Sequence, residues 1–228
     1  MEQILIHMTA AFSNAVLVAI LPHVSDFAKR LELPIPLPIT ANQIKEFKPH
    51  PFTNFIGGVL TLTNGDRFFE GGHGYVNIFY GYKNYNMPPE DLDWDNREQW
   101  ASQFYGQMNM TTNEVIEFAR DALRKLGYQP KTLHADMPPT QFNGPWVHGT
   151  NTIPFCDVEW SPEDGNDIIF ISINAEKKQI VCFSLVSTNA WRAPPKLDVV
   201  PELESDYQKR LKGKMFIRTN APVRFPRL

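Results

Sequence analysis

A chain of 228 residues, 43% hydrophobic and 21% charged, has a globular composition and enough length to bury a core without help from metals or disulfides. Its formal net charge of -3 excludes a general attraction to nucleic acid or to an anionic membrane, so any such partner would need a local patch. Two cysteines make neither a disulfide framework nor a Cys-based zinc site, and no cofactor is expected.

The first element is a helix. Val16, Ile20, Val24, Phe27 and Leu31 recur at steps of four and three, a single apolar stripe, and Pro22 is expected to kink it. The apolar run from Ile4 to Leu21 is interrupted by Ser13 and Asn14, and Glu2 stands where a signal peptide carries Lys or Arg. It reads as a helix of the fold rather than a targeting or membrane segment. Prolines alternate from Pro34 to Pro38 and force an extended connector that packs on the core, and Thr40 with Gln43 has capping-box spacing for helical turns reaching Phe47. Asn64-Gly65, flanked by apolar runs within Val59 to Glu70, predicts a hairpin with a two-residue turn. Gly71, Gly72 and Gly74 give a second reversal before a strand from Tyr75 to Tyr82.

An acidic stretch from Pro88 to Gln99 follows and reads as a surface linker. A second helix opens at Thr111, where Glu114 completes a capping box, and Val115, Ala119, Ala122 and Leu126 form its stripe before Gly127 ends it. Three strands come next, Phe155 to Trp160, Asp167 to Ile173 and Gln179 to Val186. Ile168 to Ile171 is apolar on both sides, which predicts a central strand covered on each face. Asp26, Lys29, Arg30 and Leu31 match Asp121, Arg124, Lys125 and Leu126 at an offset of 95 residues. The chain therefore reads as α+β, two similar units each made of a helix and a three-stranded antiparallel meander. The units are 1–87 and 111–192, with 88–110 as acidic linker and 193–228 as a basic C-terminal extension.

The run from Thr111 to Tyr128, followed by Val158, Ile169 to Ala175 and Ile180, resembles the PepSY domain. In that family a capped helix precedes paired strands, and here the turn after them falls at Ile173 to Lys177. The likeness covers about 75 residues of helix-cap and turn chemistry. In stretches such as Asn14 to Pro38 and Leu60 to Gly65 the whole chain also resembles a family of uncharacterised, exported bacterial proteins. These resemblances imply a PepSY-like or cystatin-like fold, an extracytoplasmic setting, and a binding or inhibitory role without catalytic residues.

Asp157 and Glu159 lie two apart on a strand and project from one face, as the paired acids of a glycosidase do. The plainer reading is a solvated strand face, with Cys156, Val158 and Trp160 filling the buried one. None of the six histidines pairs with another at the spacing that binds zinc on a helix. His148 and Cys156 are a nucleophile and base only if the thiol is activated, and a thiol among strand residues is more simply a packing group. Cys156 and Cys182 point to opposite faces if Val181, Phe183 and Leu185 face the same core as Val158, so no disulfide is expected. Gly71 to Gly74 does not open a helix and reads as a turn, not a phosphate loop.

Trp146, Trp160 and Trp191, with Tyr75, Tyr80 and Tyr82, are the candidate stacking surface for a sugar or peptide; an aromatic core is the alternative. The last 22 residues carry seven cations and no acid, which suits a nucleic-acid tail or, as preferred here, a strap over the acidic linker. The expected function is a non-catalytic binding module for a peptide, a protein or an envelope component, with no nucleic acid and no transmembrane segment. A hydrolase using Asp157 and Glu159 and a structural assembly protein are the alternatives.

Overall fold

The computed structural model describes residues 9–50, 57–71, 74–85, 96–161, 167–190 and 197. Helix α1 spans Ala10–Arg30, its Thr9 cap accepting from the Phe12 amide. The whole predicted stripe is buried, from Val16 to Leu31. Pro22 lies within the helix on its exposed side, where α1 continues past it. Among the described residues α1 is the one helix long and apolar enough to cross a membrane, and its apolar stripe is spent on the protein core. Helix α3, Thr112–Lys125, carries the predicted capping box, with Glu114 accepting from the Thr111 amide at 2.7 Å. A short helix α2, Arg97–Ser102, precedes it.

Both long helices end in the same cap. The amides of Leu31, Glu32 and Leu33 donate to the carbonyls of Phe27, Lys29 and Ala28; those of Leu126, Gly127 and Tyr128 donate to Ala122, Arg124 and Leu123. Every atom pair recurs 95 residues on. Glu32 and Gly127 hold the left-handed position that this motif requires, at φ 53° and 86°.

Strands β1 (Ile44–Pro49), β2 (Gly58–Leu62), β3 (Arg67–Glu70), β4 (Val76–Tyr80), β5 (Gln141–Asn143), β8 (Phe155–Trp160), β9 (Asp167–Asn174) and β10 (Gln179–Ser187) form one antiparallel sheet. Its order is β1-β2-β3-β4-β10-β9-β8-β5. Strands β6 (Trp146–His148) and β7 (Asn151–Ile153) make a separate hairpin. The last strands of the two halves meet at the centre, where Tyr80, Phe79 and Ile78 pair with Cys182, Phe183 and Ser184.

Helices α1 and α3 cover one face of the sheet and share its core. Phe27 of α1 contacts rings from both halves, Phe68 and Phe79 on one side and Phe183 on the other. The opposite face is covered at one end by Ala101 of α2 with Tyr85, Phe104 and Tyr105, packed on Phe155 and Val181.

Several expectations change. Each half contributes four strands to the sheet, not three, since β1 and β5 join it. The capping box at Thr40 starts only a single 3-10 turn, Ala41–Gln43, and Ile44 to Pro49 run on as an edge strand instead of helical turns. The Asn64-Gly65 hairpin forms, but over three residues: Leu62 and Asp66 close it, and only Gly65 takes positive φ, 96°. The supposed linker holds a helix whose Ala101 is buried. β9 is central as predicted, yet Ile168 is 37% exposed, so its second face is covered only in part. Residues 51–56, 86–95 and most of the basic extension lie outside the described residues.

Candidate functional site

A cleft of about 380 Å³ lies between the C-terminal half of α1 and the residues that follow α3, Leu126 and Tyr128, above the turn that enters β4. Its α1 wall presents His23, Asp26, Phe27 and Arg30, recurring at helical spacing so that they share one side. Tyr75 and Tyr128 face it from the β4 entrance and from the end of α3. These two rings meet edge to face at 6.3 Å. Aromatic rings and a few polar groups from three elements line this open recess, which could receive a small group but does not enclose one.

Its polar groups are held in place. Arg30 Nε donates to Asp26 Oδ2 at 2.6 Å and Nη1 donates to the Lys125 carbonyl at 3.1 Å, so one guanidinium ties the two helix ends together. A cation there also suits the negative end of the α3 dipole. Beside the cleft, the fully buried Glu70 carboxylate accepts from the amides of Gly74 and Tyr75 at 2.9 and 3.1 Å, fixing the turn that brings Tyr75 in. The Tyr75 hydroxyl is pushed above its usual range, first by burial and then by Tyr128 and Glu70 nearby. It stays protonated, a neutral donor and acceptor.

A second recess of about 340 Å³ lies at the far side of α3, over Trp160. Arg120 builds it by donating to the carbonyls of Ala135 at 2.8 Å and Met137 at 2.9 Å, while Trp160 Nε1 donates to the same Met137 oxygen at 3.0 Å. It draws on one half of the chain only; the neighbouring Arg120 is spent on loop carbonyls, and Lys131 is the cation in its lining.

The five described members of the predicted aromatic surface do not come together. Trp160 and Tyr75 are buried on the helix side of the sheet, whereas Tyr80 is half-buried on the opposite face. Tyr82 is 63% exposed beyond the end of β4, Trp146 stands on the separate hairpin, and Trp191 lies outside the described residues. Of the five that are described, Tyr75 alone lines the cleft, as a partner to Tyr128, which the sequence offered as nothing more than the residue after a helix cap.

Asp157 and Glu159 do project to one face, but not as a solvated pair: Asp157 is 6% exposed and Glu159 half-buried. That face is across the sheet from the cleft. Asp157 is enclosed because α2 and Phe104 cover this end of it. His148 bonds Tyr105 through Nδ1 at 3.0 Å and stacks on its ring.

Both thiols are free and buried. They face opposite sides of the sheet, as expected, but by a different route. A bulge at Val181 breaks the β10 register, so Cys182 pairs across to Ser172 and Asp157 while Val181 leaves the main core. Burial pushes the Cys156 thiol up to about 11, with Asp157 adding to it. Neither cysteine is activated. Among the described residues no cluster of three His, Cys, Asp or Glu side chains could hold a metal. Comparison with protein-family models, curated proteins and solved structures finds no match to the chain.

Proposed function

We propose that the chain is a non-catalytic binding module made of two PepSY-like units, and that it receives a side chain or chain end of a peptide or protein partner in the cleft between α1 and the residues that follow α3. The observation that carries this reading is the cleft itself, where both halves contribute and the charged groups pair with each other or with main-chain atoms. Polar groups tied in this way orient a ligand well and are poor proton shuttles or nucleophiles. The two-unit part is supported by identical helix caps 95 residues apart and by a strand order in which two four-stranded meanders meet last strand to last strand. Sheet edges are weaker docking places. In β1 the His50 amide donates to Gly57, so alternate donors face β2 and the missing N–H of Pro49 falls on the open edge, with Lys45 and Lys48 nearby. β5 is only three residues long.

Peptides selected from a displayed random library against the full chain provide the test. Their affinity, measured by calorimetry, is expected to fall at least tenfold in Asp26→Lys and in Arg30→Glu, and to be unchanged in Asp157→Asn. Equal affinity for all three proteins, each with a native circular dichroism spectrum, would overturn the reading.

A further inference from the structure

β1 stands at one end of the strand order, so one of its sides has no strand beside it among the described residues. The His50 amide donates to the Gly57 carbonyl, and in the same register Lys48 and Glu46 also face β2. Phe47 therefore turns its N–H and C=O outward, while its ring packs on α1. An edge of this kind invites pairing by another strand unless it is covered.

We propose that the segment from Asp198 to Asp206 of this same chain caps β1, with residues 198–201 pairing along Phe47 as a short added strand. Three observations select this occupant, none of them drawn from the cleft. The first is where the segment starts. Phe12, Val16 and Ile20 of α1 form a small cluster apart from the main core; Phe47 packs on it from the sheet, and so does Leu197. Residue 197 is thereby placed where α1 crosses the edge strand. The second is length and composition. Asp198-Val199-Val200-Pro201 follows directly, and four extended residues cover about 13 Å, the same as Lys45 to Lys48. The two valines favour a strand, and Pro201 has no N–H to offer a further one. The third is charge. Asp198, Glu202, Glu204 and Asp206 come in one stretch without a cation, and Lys45 and Lys48 are exposed on β1, Lys45 with no ion pair among the described residues. A strand of the chain's own closes this edge to strands from outside and leaves partners the cleft.

Amide exchange and spin labelling on the full chain test this. The Phe47 amide is expected to exchange at least tenfold more slowly in wild type than in the double variant Val199→Gly, Val200→Gly, with exchange at Leu60 unchanged. A nitroxide on Ser205→Cys, selective because both native thiols are buried, is expected to broaden the amides of Lys45 to Lys48. Lys45→Glu with Lys48→Glu should weaken that broadening, and adding Asp198→Lys with Glu202→Lys should restore it, a rescue that general destabilisation does not produce. Fast exchange at Phe47 in wild type, broadening that leaves β1 silent, or failure of the charge exchange to restore it would overturn the proposal. So would broadening of β1 in unlabelled chains mixed with labelled ones, which assigns the edge to a second copy.

Discussion

Gly127 and Glu32 occupy equivalent left-handed positions at the ends of two helices, and only one of them is the residue that conformation prefers. Gly127→Ala should lower stability by about 1 kcal/mol, the cost of a Cβ in that region, whereas Glu32→Gly should raise it. Urea denaturation midpoints check both. The two thiols give a pH prediction. Burial raises both in the folded chain, Cys156 to about 11. A raised acid contributes fully below its unfolded value and loses that contribution as pH climbs toward the folded one. The denaturation midpoint should thus stay level to about pH 8.5 and then decline, less steeply in Cys156→Ala. Ellman's reagent should find no fast-reacting thiol in the native chain and both after unfolding. The helix stripes were readable because they depend on local period, and the opposed cysteines because Phe183 and Leu185 keep that period even where the bulge turns Val181 out of the main core. Asp157 was not, since its enclosure comes from α2, a segment read as linker on its acids and prolines alone.

Helix α3 was legible to its caps because its start and stop chemistry is local: Thr111 and Glu114 at one end, Gly127 at the other. Thr111→Ala should cost about 1 kcal/mol, read as a shift in the urea midpoint. Hydrogen bonds from Thr111 hold the Glu114 carboxyl below its usual range. A lowered carboxyl stabilises above its unfolded value and loses this as pH falls through the folded one, so the contribution fades in acid. β1 and β5 were missed for physical reasons. β1 is an edge strand, largely exposed, with Lys45, Glu46 and Lys48 in place of an apolar alternation, and it follows a true capping box that yields only a 3-10 turn. β5 is held by its partner β8 rather than by its own pattern. The hairpin was found but its turn was a residue longer, because Asn64 does not take the positive φ that a two-residue turn demands.

At the scale of the molecule, one sheet runs through both halves and Phe27 joins their rings, so the halves fold as a single layered body where composition and spacing suggested separate units. The cleft arises from that union. His23, Asp26 and Arg30 come from the first half and Tyr128 from the second, and no pattern along the chain brings them together. The most direct measurement is amide chemical-shift mapping of a selected peptide titrated into the isotopically labelled full chain. The account predicts the largest changes at His23, Asp26, Arg30, Tyr75 and Tyr128. Changes centred on Ile168 and Val186 or on the edge strand β1, with the cleft silent, would contradict it.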